Sequence, residues 1–170
     1  MPVLATMGLK KIYVTPASED GKTMPAKGEA WKDLGDVYQD TCSLKDDDPE
    51  ITEHKSETSN KVITQVGETP TSVGLSLMDP DLTLLGQYFG GEVSGSTKQR
   101  KWIRPKKLPY KEWAIWIQPE EGLFIGCANV RIIPKFEITY SSKGITLVPM
   151  TIKFQAELQA DEGMKDPTQA

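Results

Sequence analysis

At 170 residues, with 38% hydrophobic content and a net charge of −4, the chain suits one domain large enough to bury a core. No run approaches the ~20 apolar residues of a membrane span, and the start, Met1-Pro2-Val3-Leu4-Ala5-Thr6-Met7, lacks the basic head and apolar run of a secretory signal. A soluble protein made and used in the cytoplasm is expected, rich in turns because it carries 12 prolines and 14 glycines.

In chain order, Leu9 to Val14 predicts a first strand, with Ile12 and Val14 on one side. Residues 16–29 are polar and Gly/Pro-bearing and read as a mobile loop. Trp31 to Tyr38 fits a short helix or a second strand equally, and Asp36 to Leu44 reads as extended. Residues 45–61 then carry Asp46, Asp47, Asp48, Pro49 and Glu50, followed by Ile51-Thr52-Glu53-His54-Lys55-Ser56-Glu57-Thr58. The latter has strand-like Thr and Ile, yet beyond Ile51 neither parity is apolar. A strand without an apolar face has nothing to pack on, so this segment is expected to project as an arm or to pair with another chain.

The core is expected to resume at Val62 to Val66. Val73, Leu75 and Leu77 alternate with Ser72, Gly74 and Ser76, a one-sided strand that leads into the most distinctive local signal of the chain. There Asp79 is placed to cap a helix, Pro80 suits its first position, and Leu82, Leu84, Leu85, Tyr88 and Phe89 make one side apolar. Gly90-Gly91 supplies a left-handed stop. Val93-Ser94-Gly95-Ser96 reads as a flexible link.

The C-terminal half is the clearest β region. Trp113, Ile115 and Ile117 share one parity; so do Val130, Ile132, Phe136, Ile138 and Tyr140. Ser141-Ser142-Lys143-Gly144 predicts a hairpin turn. In the last strand Val148, Met150, Ile152, Phe154, Ala156 and Leu158 face one way, and Pro149, lacking a donor, marks an edge or a bulge. The fold class expected is mainly β, a β-sandwich or barrel with one short α-helix packed on it. Residues 1–170 form a single domain, with residues 1–8 and 160–170 flexible.

Little in the chain promises chemistry. The single histidine, His54, lies in the polar arm with no nucleophile elbow nearby. Cys42 and Cys127 have no metal-ligand spacing; a disulfide between them stays open, and Cys127 in the apolar run Leu123–Ala128 reads as a buried, inert thiol. The acidic run 46–50 lacks the alternation, glycine and distal glutamate of a calcium loop. No cofactor, metal or catalytic residue is assigned.

Charge distribution says more. Lys98, Arg100, Lys101, Arg104, Lys106 and Lys107 put +6 into residues 98–107 with no acid, so the −4 chain carries −10 elsewhere. Such a strip, with Trp102 among the cations, suits single-stranded nucleic acid, a solvated face or a protein contact. The complementary acids Asp46, Asp47, Asp48, Glu50 and Glu53 favour a specific form of the last: the arm of one copy against the basic strip of another. An alternative is a small β-barrel that binds a ligand among Trp102, Tyr110, Trp113 and Trp116. An enzyme is the weakest reading.

The element order, and above all Ser72-Val73-Gly74-Leu75-Ser76-Leu77-Met78-Asp79 running into the helix and Gly90-Gly91, resembles the tail tube (major tail) proteins of long-tailed bacteriophages. Their relatives include the tube protein of type VI secretion. The resemblance covers roughly residues 34–158. It implies a virion structural protein, assembled in the bacterial cytoplasm, whose homo-hexameric rings stack into a tube with other tail proteins. DNA passes through the lumen without sequence-specific binding, and residues 45–61 are the loop that touches adjacent rings. The 16–29 loop and the basic strip have no counterpart in that pattern.

Overall fold

The computed structural model describes residues 6–78, 80–161 and 167. The strands in chain order are β1 (Lys11–Pro16), β2 (Lys32–Asp33), β3 (Ser43–Asp46), β4 (Ile51–Lys55), β5 (Val62–Val66) and β6 (Thr71–Met78). After the helix α1 (Leu82–Phe89) come β7 (Val93–Ser94), β8 (Lys101–Trp102), β9 (Trp113–Gln118), β10 (Phe124–Pro134), β11 (Glu137–Ile138), β12 (Thr146–Phe154) and β13 (Leu158–Asp161).

The main sheet is antiparallel, in the order β2-β1-β9-β10-β12-β6-β3, with β11 beside β12 and β13 beside β10. The segment after β2 joins its two sides. The Leu34 amide donates to Ile12 O of β1 (2.8 Å), and a few residues on Val37 bridges Leu77 of β6. The sheet thereby closes on itself, which removes the edges that an open sheet would leave bare. Trp31 to Tyr38 is therefore the closing strand, not a helix.

The expected parities hold in the body, but Ile138 and Tyr140, expected on the apolar side, are exposed where the chain runs into the turn before β12. Ile12, Val14, Val73, Leu75, Leu77, Ile115, Val130, Ile132, Val148, Met150 and Ile152 are all buried in one core. Tyr88 and Phe89 of α1 enter it, and the Tyr88 hydroxyl donates to Leu34 O (3.2 Å) on the closing strand. The helix plugs the barrel as expected, but its cap is Asp81, which accepts from the Leu84 amide (2.9 Å). Asp79 lies outside the described residues, and Pro80 precedes the cap instead of starting the helix. Gly90 and Gly91 do take positive φ, 82° and 87°, where a side chain would be strained.

Several expectations change. The 16–29 loop covers the outer face of β1 and β9, where Trp31, Tyr13, Ala114 and Trp116 form a second cluster with Met24 and Phe124 against it. Residues 93–96 are half of a small β7–β8 hairpin, not a link. Pro149 sits in a central strand, and its missing N–H faces Lys135, where the pairing of β12 breaks between β10 and β11. Leu158 is 41% exposed, because the last strand bends after Phe154 and restarts as β13. Ala160 and Asp161, expected to be flexible, belong to that strand and pair with Ile125 and Phe124. Of the N-terminal stretch, Met7 is bridged to Glu121.

Candidate functional site

The feature that dominates the surface is a two-stranded ribbon. Ser43 pairs with Gly74 at its base and Lys55 with Val62 at its tip, and one register runs throughout. Pro49 and Pro70 interrupt the ladder, yet the Asp47 amide still donates to Pro70 O and the Gly67 amide to Glu50 O, both at 2.8 Å. From Asp46 to Lys55 the ribbon extends roughly 30 Å at ~3.3 Å per residue. Every residue of β4 and β5 is exposed on both faces. Ile51, Val62, Ile63 and Val66 are bare by 59%, 52%, 50% and 64%.

The arm expected at 45–61 is therefore real but longer. Its second strand, Val62 to Val66, was expected in the core and is instead the return strand of the arm. Its apolar residues misled because they could be weighed by type but not by partner. Asp46 accepts from the Thr71 hydroxyl (2.5 Å) at the base, and Glu53 pairs with Lys55 of its own strand (3.7 Å). Asp47, Asp48 and Glu50 are spread along the ribbon between them and are exposed.

The basic strip lies against α1 on the body. Arg100 donates to the Thr83 hydroxyl (3.0 Å), and Arg104 sits over the Phe89 and Phe136 rings, 4.8 and 5.7 Å from their centroids. Trp102 donates to Gly90 O (2.8 Å) and packs on Phe89 and Phe136. Lys98 occupies the β7–β8 turn at φ 67°, and Lys101, Lys106 and Lys107 are exposed. Among the described residues no ion pair joins these cations to the acids at 46–53. Their charge is available to another molecule.

The four aromatics offered for a ligand pocket do not converge. Trp102 serves the helix terminus, Trp113 packs on Tyr88 in the core, Trp116 faces outward under the 16–29 loop, and Tyr110 lies exposed beside Arg131. His54 is exposed on the ribbon. Both thiols are free of a disulfide; Cys127 is buried, and burial pushes the Cys42 thiol up, away from the reactive thiolate. Among the described residues no three His, Cys, Asp or Glu side chains are placed to share a metal ion.

Among the described residues two concavities stand out by volume. One, of about 790 Å³, is mostly apolar and includes Leu9, Val37, Cys42, Ile117 and Ile125 in its lining. The other, of about 740 Å³, is acidic and arises from two coincident irregularities. The pairing of β10 with β9 slips between Cys127 and Val130, and opposite it the chain bends between β12 and β13. Such bulges re-aim side chains. Asn129 in the slip is turned toward Gly21, and its buried Oδ1 has no hydrogen-bond partner. Glu19, Asp20, Glu68, Glu112 and Glu157 surround it, with Lys22 among them. Asp20 accepts from the Thr23 hydroxyl (2.6 Å), the Lys22 amide (2.9 Å), the Thr23 amide (3.0 Å) and the Ser18 hydroxyl (3.0 Å). These bonds, the Thr23 hydroxyl first, hold its carboxyl well below the usual carboxylate range. Sequence reasoning missed this cluster because its acids come from separated segments.

These observations define an antiparallel β-barrel with a plugging helix and a projecting ribbon. No known protein-family profile and no curated protein sequence matches the chain. Among solved structures it is similar to a chain in the sheath–tube complex of an extracellular contractile injection system, PVC, in its extended state. There the identity is 11%, the TM-score 0.49, and 95% of each chain is covered. It is also similar to a chain in the tail of an empty GTA particle from helical refinement with C6 symmetry (12% identity, TM-score 0.45, 89% of this chain and 94% of that one). A third is a chain of the tube-terminating cap of the anti-feeding prophage (12% identity, TM-score 0.47, 96% and 95%).

Proposed function

We propose that the chain is a structural subunit of a phage-type tail tube, which closes into six-membered rings that stack into a hollow tube for DNA passage. The observation that carries this reading is the bare ribbon. A two-stranded ribbon alone is marginally stable in water at best. Half-exposed Ile51, Val62, Ile63 and Val66 leave on the order of 4 kcal/mol of burial unrealised, at about 1.5–3 kcal/mol for each fully buried side chain. A surface of another copy supplies that burial.

In this reading the acids Asp46, Asp47, Asp48, Glu50 and Glu53 on the ribbon approach Arg104, Lys106 and Lys107 of a copy in the adjacent ring. Exposed pairs contribute ~0.2–1 kcal/mol each, so they set register and steer association more than they hold it. The −10 carried outside the basic strip suits a lumen that repels phosphates and lets DNA slide. The role is structural, with other tail proteins as further partners and no catalysis.

The test replaces residues 50–67 by a short turn. The expected variant keeps its Tm within a few degrees and loses tubes in negative-stain images. An unfolded variant would mean that the ribbon belongs to the core; unchanged tubes would remove its role in stacking. The apolar cavity of about 790 Å³ favours a second reading as a small-molecule binder. Saturable binding by a chain that never assembles would support it.

A further inference from the structure

The strip and the acidic cavity stand at opposite ends of one ladder. Arg104 and Trp102 fix the strip at Phe136, which continues the β10 line beside β12; the cavity is built around Asn129 and Gln155, farther back on the same pair. From Asn129 to Phe136 the ladder spans roughly 23 Å at ~3.3 Å per residue, beyond the Debye length of about 8 Å at physiological salt. At that separation Arg104 and the cavity are largely screened from each other within one copy.

We propose that the acidic cavity receives the tip of the β7–β8 hairpin, Lys98 and Lys101, from a neighbouring copy, joining subunits head to tail. The proposal rests on the tube reading and deepens it by naming a contact within the ring. Three features point to this occupant. The cavity is concave and carries five carboxylates against one lysine. Asn129, a lining residue only 7% exposed, holds its Oδ1 as a buried acceptor without a donor. An ammonium group brings donors and positive charge together. The hairpin tip is the matching knob: its turn carries Lys98 at φ 67°, and Lys101 closes that turn opposite Ser94, both exposed. A contact between two different patches is heterologous, and repeated around an axis it closes a ring.

The experiment uses two variants of the full chain, Glu19→Lys with Glu68→Lys and Glu157→Lys, which turns the cavity positive, and Lys98→Glu with Lys101→Glu. All five positions are exposed, and a thermal melt checks that each variant keeps its fold. Sedimentation velocity is run on each alone and on their equimolar mixture. Each alone is expected to need at least tenfold more protein than the parent chain to assemble, because its two ends now repel. The mixture is expected to recover assembly, since each reversed end meets a reversed partner. Assembly of either variant alone at the parent concentration, or a mixture that stays dissociated, overturns the proposal. Recovery of the lysine-reversed variant by Asp47→Lys with Asp48→Lys instead assigns the hairpin to the ribbon and also overturns it. A parent chain that never assembles fails the tube reading itself, a result distinct from all of these.

Discussion

Trp116 lies across Gly126, its cross-strand neighbour on β9 and β10. A β-carbon at Gly126 would stand 1.6 Å from Cε3 of the indole and 2.0 Å from Cζ3. The ring fills the space a side chain would take, and the cluster with Tyr13 and Trp31 holds it there. Gly126→Ala is expected to destabilise the protein by about 3 kcal/mol, the upper range for overpacking. At ~2–4 °C per kcal/mol, that lowers Tm by roughly 6–12 °C. Trp116→Leu in the same background should return part of the loss. Chemical denaturation of the two single variants and the double variant checks this; a neutral Gly126→Ala would contradict the packing.

The helix that plugs the barrel starts at Asp81. Asp81→Ala removes the acceptor for the Leu84 amide and should cost about 1 kcal/mol, whereas Asp81→Asn should cost only a few tenths. Urea unfolding resolves the difference.

Asp20 gives a pH dependence of definite sign. Its folded pKa is lowered, so the loop order it provides is complete above the ordinary aspartate value near pH ~4 and fades as pH falls through the lower folded value. The Lys22 and Thr23 amide shifts, followed by NMR, should therefore show no transition from pH 7 down to about 4. A titration centred near 4 would contradict the four hydrogen bonds. Asp20→Asn should weaken the loop already at neutral pH.

The proposed charge contact between rings is tested by reversal. Lys106→Glu with Lys107→Glu should weaken stacking, and Asp47→Lys with Asp48→Lys should partly restore it when combined. Tube length in negative stain reads the outcome. No recovery in the combined variant would remove this pairing.

Much of the barrel was legible because parity is a local signal. Val73, Leu75 and Leu77, or Val148, Met150 and Ile152, declare their face without reference to a partner. What failed depended on partners. Val62 and Val66 read as core until their pairing with Lys55 and Ile51 carried them off the body. Asp79 and Asp81 are equally good caps by type, and only the backbone at Asp81 decides between them. Pro149 looked like an edge, yet a central strand accommodates it by breaking one ladder. The arm's acids and the basic strip were visible as runs. The acidic cavity was not, since a register slip at Asn129 gathers residues from separate parts of the chain.

Electron microscopy and sedimentation of the purified chain across a concentration series test the central claim most directly. The account expects rings, then stacked tubes, to appear as concentration rises. A particle that stays monomeric from dilute to near-millimolar protein would contradict it.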